Sequence, residues 1–200
     1  MGQDAASKTQ AVINTNVGSH SKIDEMKIYC SKKLETFLGQ TTPTIKSTEN
    51  SIFGDWNGHL FTVDRKRCLI FMNNQTCYSI VFTNVQKKNL KDFGQVFKER
   101  LITQLDRDIE LNEEQEIKLR RDLADIVLTK SNNDKKIIGT INHHVENLKY
   151  NNYGDGVENW DELQVTEILN SYLVGTKIRP DMKRNRDFFK PIELMTEIIK

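Results

Sequence analysis

Apolar positions recur along the chain first in short strand-like runs and then, from about Leu90, at helical spacing. The stretch MKIYCS, from Met26, reads as a short strand. In the following SKKLETFLG, Ser31 can cap a short helix that Gly39 ends. After a polar loop with Pro43 come three β-like segments, Gly58 to Asp64, Cys68 to Asn73 and Thr76 to Thr83. They are separated by RKR and NNQT, interruptions of hairpin size, which predicts an antiparallel meander. With two-residue turns at Arg65-Lys66 and Asn74-Gln75, Leu60, Leu69, Phe71, Tyr78, Ile80 and Phe82 share one face. The other face takes Phe61, Val63, Cys68, Ile70, Met72, Cys77 and Val81. Apolar residues on both faces require cover on both sides, from helices or from a partner.

The second half of the chain supplies helices. Leu90, Phe93, Phe97, Leu101 and Leu105 form one helical stripe. Asn112 with Gln115 three residues later is a capping box, and the acidic NEEQE turn suits a helix start, so a helix is predicted to about Ile126. Asn159 and Glu162 repeat that spacing before Val165, Ile168, Leu169, Tyr172 and Leu173, with Gly175 as the stop. A last helix starts near Pro191. Between these, IVLTK and KKIIGTIN flank the turn SNND and fit either a hairpin or a strand that hands over to a helix. The spacing of Ile138, Ile141, Val145 and Leu148 favours the second, with Gly139 or Thr140 at the junction. The pattern as a whole predicts an α+β fold, a central antiparallel β-meander covered by several helices.

Composition narrows the picture. A chain of 200 residues with 37% hydrophobic content suits one core, so residues 26–200 are expected to form a single domain. Residues 1–25, rich in Ser, Thr, Asn, Gln and Gly, lack the pattern of a signal or transit peptide and read as a flexible arm or extension. The 29 basic residues balance 28 acidic ones, which removes any global electrostatic motive for a polyanionic partner. Three cysteines, with no CxxC pair and no histidines at ligand spacing, point to free thiols in a reducing cytoplasm. The longest apolar run, Leu69 to Met72, is far below the roughly 20 residues of a membrane span.

Three blocks carry a resemblance. MKIYCSKKLETFLG, DWNGHLFTVDRKRCLIFMNNQTCYSIVF and TKSNNDKKIIGTIN resemble, in this order, the blocks of a bacterial domain family of unknown function. The family pattern is a cysteine before Ser/Thr-Lys-Lys-Leu, here Cys30 to Leu34. It continues with a tryptophan, an Arg/Lys hairpin and an Asn-x-x-Thr turn, here Trp56, Arg65 to Arg67, and Asn73 with Thr76. The third block keeps Lys130, Gly139 and Asn142, and departs at Ser131, at Lys135 where arginine is usual and at His143 where aspartate is usual. Those departures argue against a strict catalytic Arg/Asp pair. The resemblance implies kinship over most of Met26 to Lys200 and brings no activity with it.

Candidate chemistry is sparse. His143 and His144 are neighbours, about 100° apart on a helix, and cannot both chelate one metal; they read as surface or cap histidines. His59 lies on a predicted strand near Asp55 and Asp64 with no nucleophile fixed beside it. Cys30, at a strand end, reads as a buried inert thiol, and Trp56 as a lid on the core. Arg65, Lys66, Arg67, Lys130, Lys135, Lys136 and Asn142 are candidate contact or phosphate-binding residues, as are Lys183, Arg184 and Arg186 in the basic stretch RPDMKRNRDFF. There is no GxxxxGK[ST], GxGxxG or HExxH, hence no cofactor and no metal is expected. The reading that follows is a non-catalytic binding or regulatory protein with a protein partner, a component of a bacterial defence or toxin–antitoxin-like system. The alternative is a nucleic-acid-binding protein or metal-independent nuclease, with His59 or His143 as general acid or base.

Overall fold

The computed structural model describes residues 25–39, 51–123, 125–151, 156–175 and 188–200. Lys183, Arg184 and Arg186 lie outside these residues, as does the expected arm over 1–25 apart from Glu25. The fold is α+β. Its main sheet has five strands, β1 (Glu25–Cys30), β2 (Trp56–Val63), β3 (Lys66–Asn73), β4 (Ser79–Phe82) and β5 (Asp125–Lys130), in the order β4-β3-β2-β1-β5. The expected meander is present as β2, β3 and β4, all antiparallel. It is only part of the sheet, however, because β1 runs parallel to both β2 and β5. Both parallel pairings join strands that are far apart in sequence and need crossovers, which leave no local mark in the chain.

Both hairpin turns differ from expectation. Val63 pairs with Lys66, so the first turn is Asp64-Arg65, and both residues take positive φ (47° and 63°), as tight hairpin turns demand. The second turn is a four-residue loop, Asn74 to Cys77, because the Asn73 amide donates to the Tyr78 carbonyl. Asn73 builds that loop from inside: its buried Oδ1 accepts from the amides of Gln75 and Thr76 (both 2.9 Å) and from the Thr76 hydroxyl (3.0 Å). Each correction moves the register by two residues. Side chains alternate with a period of two, so the predicted faces survive intact.

Each face has its own core. Leu69, Phe71, Tyr78, Ile80 and Phe82 join Met26, Ile28 and Trp56 under α1 (Lys32–Leu38), α2 (Phe93–Ile109) and α3 (Glu113–Asp122). Trp56 is fully buried and meets the edge of Phe97 at 5.2 Å, so it is a core residue, as expected. Phe61, Val63, Cys68, Ile70, Met72, Cys77 and Val81 pack under α4 (Lys135–Tyr150) and α5 (Glu162–Ser171). A small sheet, β6 (Val174–Gly175) with β7 (Phe188–Phe189), and a last helix α6 (Pro191–Ile199) complete the described chain. The cover that both faces require therefore comes from the chain's own helices.

Local signals set most helix ends. The Asn112–Gln115 capping box is formed on both sides. That helix stops at Asp122 instead of Ile126, because Ile126 and Leu128 pair with Met26 and Ile28 in the sheet. Asp161, not Asn159, caps α5 through the amides of Leu163 and Gln164. Gly175 lies in β6 and does not end the helix. Asp134 caps α4 through the amides of Lys136 and Ile137, which confirms the strand-to-helix handover and puts Gly139 inside the helix, not at its junction. Among the described residues, no helix is long and apolar enough to cross a membrane.

The free edge of β4 is closed by side chains. Asn170 Oδ1 accepts from the Ser79 amide (2.7 Å), Thr166 Oγ1 from the Val81 amide (3.2 Å) and Glu162 Oε1 from the Thr83 amide (2.5 Å). The outward amides of an edge strand recur every second residue, about 6.6 Å, and helix positions four apart recur every 6 Å. Three successive turns of α5 thus match three successive edge amides and cap a surface that otherwise invites intermolecular pairing.

Gly58 sets how closely α1 approaches the sheet. A Cβ there would lie 2.7 Å from both Leu34 Cδ2 and Phe71 Cε1. Gly58→Ala is expected to destabilise the protein by about 1–3 kcal/mol through overpacking, read as a lowered urea midpoint. An unchanged midpoint would show that α1 can move away freely.

Candidate functional site

A polar cavity forms where β1 ends. At Ser31 the chain leaves the sheet: its amide donates to the Gly58 carbonyl (2.9 Å) and its hydroxyl accepts from the Leu34 amide (3.4 Å), which starts α1. Strand β5 ends in register, with Lys130 opposite Cys30. Beyond Gly58, β2 continues with no described strand on its β1 side. Helix α1 packs into one core and α4 into the other, and a cleft opens between them past the carboxyl end of β1. That is the place where open sheets with parallel strands generally hold ligands.

The cleft has a volume of about 510 Å³ and is lined by Ser31, Lys32, Lys33, His59, Asn142 and Lys149, with Leu60, Phe61, Thr62 and Val145 as its apolar and neutral parts. Among the described residues, no acidic one lines it. Lys32 is tied to Glu35 at 3.5 Å, and among the described residues neither Lys33 nor Lys149 has an ionic partner. His59 is half-buried, and burial, helped by the charge of Lys33, holds its pKa below the ordinary histidine value. The cleft therefore presents positive charge without ionic partners among the described residues, an amide, and an imidazole whose lowered pKa a nearby negative charge would raise.

Two potential nucleophiles at the end of β1 are held in structural roles. Burial, with a contribution from Glu35, pushes the Cys30 thiol up to about 12, which makes it the inert cysteine expected. The Ser31 hydroxyl is engaged as the cap of α1.

The residues proposed from sequence are dispersed. Asn142 joins the cleft. Arg65, Lys66 and Arg67 are exposed at the hairpin tip; Arg67 pairs across the strands with Thr62, which lines the cleft, whereas Arg65 lies in the turn, six residues beyond His59, about 20 Å at strand spacing. Arg67 lies over the Phe37 ring at 5.4 Å. Lys130 and Lys135 are exposed at the end of β5 and the start of α4. Lys136 lies in a separate groove of about 710 Å³ between α4 and residues 171–175, together with His143 and His144. His143 is exposed, but His144 is only 2% exposed, which corrects the reading of it as a surface or cap residue. The buried stripe of α4 is Ile137, Ile141, His144 and Leu148; it keeps the expected Ile141 and Leu148 and has Ile137 and His144 where Ile138 and Val145 were expected.

Lys32, Lys33 and Lys149 were not singled out by sequence reasoning. A signal existed for two of them: they stand directly after a strand, in the Cys-Ser-Lys-Lys-Leu block. Lys149 has none, since only the tertiary fold brings the far part of α4 to this cleft.

This is an α+β protein with a mixed sheet and a basic cleft at the carboxyl end of its strand β1. The chain belongs to the family described as domain of unknown function DUF6933, whose model matches residues 27–194. No curated protein and no solved structure matches it.

Proposed function

We propose that the chain is a non-catalytic binding protein that holds the phosphate group of a small ligand in the cleft between α1 and α4. One observation carries this: Lys32, Lys33 and Lys149 converge with His59 and Asn142 on a pocket with no acidic residue among its described lining. Lysine binds phosphate as a mobile point charge and needs no fixed fork geometry.

A small phosphorylated ligand fits better than a nucleic-acid backbone. Backbone binding rests on a track of several cations, whereas Lys136 lies in a separate groove and Arg65 is in the hairpin turn beyond the cleft. The sequence-based expectation of a regulatory component in a bacterial defence or toxin–antitoxin-like setting enters this proposal in its coarse form, a binding role. A protein partner seated on the sheet faces lacks a motive, because helices cover both. Cytoplasmic placement belongs to the same proposal and is supported by three free, buried thiols.

The test is calorimetric titration of the full chain with inorganic triphosphate at low salt. Binding is expected, and the double change Lys33→Gln, Lys149→Gln is expected to weaken it roughly tenfold or more, about 1.4 kcal/mol. Both side chains are exposed, so thermal stability should be unchanged. Absence of binding, or equal binding by the variant, would overturn the proposal. A single-stranded oligonucleotide that binds far more tightly than triphosphate would put the nucleic-acid reading in its place.

A further inference from the structure

The cleft between α1 and α4 presents backbone as well as lysines. Residues 59–62 of β2 send their side chains alternately to opposite faces of the sheet, yet all four line this one cleft. Only the strand's edge is common to both faces, so the cleft runs along that edge. The Gly58 carbonyl accepts from the Ser31 amide, on the β1 side, and every second residue of a strand turns its amide and carbonyl the same way. Leu60 and Thr62 therefore direct theirs into the cleft, while His59, Phe61 and Val63 turn theirs toward β3. Among the described residues, no hydrogen bond reaches the amide or carbonyl of Leu60 or Thr62 on this side.

We infer that the phosphorylated ligand of this cleft is a short extended peptide, whose main chain pairs with the edge of β2 at Leu60 and Thr62 while its phosphoserine or phosphothreonine meets Lys33 and Lys149. The inference rests on the phosphate reading above and adds the class of the ligand to it.

Two separate features point to this occupant. The edge offers donors and acceptors at strand spacing, which an extended peptide matches rung for rung, and strand addition to an open edge is a general mode of peptide recognition. From Gly58 to Thr62 the edge runs about 13 Å, the length of about four extended residues. Charge is the second feature. Lys32, Lys33 and Lys149 line the same cleft with no acidic residue among its described lining, which complements a doubly charged phosphate better than a neutral peptide. The contrast with the other end of the meander is direct: α5 closes the edge of β4 with the acceptors of Asn170 and Thr166, whereas α1 and α4 bring lysines to the edge of β2 and no acceptor to its amides. An edge left open in this way is a template for pairing. Such a peptide needs only the edge, so the helical cover of both sheet faces does not oppose it.

The experiment is calorimetric titration of the full chain with inorganic triphosphate, with inorganic phosphate and with a short blocked peptide carrying phosphoserine at its centre. The peptide is expected to bind at least roughly tenfold more tightly than inorganic phosphate, and its unphosphorylated form at least roughly tenfold more weakly than the phosphopeptide. Hydrogen exchange of the Leu60 and Thr62 amides should slow in the peptide complex. N-methylation of alternate peptide amides removes the donors from one side of an extended chain at a time. Of the two peptides so made, one should bind roughly tenfold more weakly than the other. Equal binding by both methylated peptides, unslowed exchange at Leu60 and Thr62, or a phosphopeptide no tighter than inorganic phosphate would each overturn the inference, and the phosphate site would stand if triphosphate still bound. Failure of triphosphate and phosphopeptide alike would overturn both.

Discussion

Asn170→Ala is expected to lower stability by about 3 kcal/mol, on the scale of about 1–3 kcal/mol for each buried polar group left unpaired. Asn170 is fully buried and serves both backbone groups of Ser79, accepting from the amide at 2.7 Å and donating to the carbonyl at 3.2 Å. It also donates to Asp108 Oδ2 at 3.3 Å. Alanine would strip all three. The Asp108 carboxyl, whose pKa burial already raises above the usual carboxylate range, would keep only the Tyr78 hydroxyl and Gln104 as donors among these hydrogen bonds. Thr166→Val, which keeps the shape but removes the acceptor for the Val81 amide, should cost less, about 1–2 kcal/mol. Urea unfolding of the two variants measures both. A loss well below 1 kcal/mol for Asn170→Ala would mean that α5 does not latch the edge of β4 in solution.

Acidification should be the second large effect, and His144 sets its sign. Burial, with the neighbouring His143 adding to it, lowers the folded-state pKa from 6.5 to about 4. Between those values the unfolded chain binds a proton that the folded chain refuses, so stability is complete above about pH 6.5 and falls as the pH drops toward 4. At roughly 1.4 kcal/mol per pH unit the loss is about 3 kcal/mol. His59, whose pKa is lowered by burial and Lys33, adds a loss of the same sign. Urea unfolding at about pH 7.5 and about pH 4 should show the fall, and in His144→Leu the fall should be smaller by about 3 kcal/mol. Equal falls in both proteins would mean that His144 is protonated or solvated in the fold.

Much of this was legible in the chain. The two faces of the meander followed from alternation alone, even though both turns were placed wrongly, because a slip of two residues preserves a period of two. The capping box at Asn112 and the handover from β5 to α4 were also readable, since both depend on neighbours within a few residues. The pairing of β1 with β2 and β5 was not, because parallel partners are joined by long crossovers. His144 was missed for a narrower reason. Ile137 and Ile138 are adjacent, and starting the stripe from the second rotates the predicted face of α4 and moves the histidine outward. The basic cleft needed the fold itself, which brings Lys149 of α4 to Lys33 of α1 and His59 of β2.

The most direct test of that cleft is the titration of the His59 imidazole by NMR, without and with inorganic triphosphate. Alone, His59 should titrate below the ordinary value. With triphosphate its pKa should move up, because a bound anion favours the charged imidazole, and the movement should vanish in the Lys33→Gln, Lys149→Gln protein. The same titration curve with and without triphosphate would contradict the account.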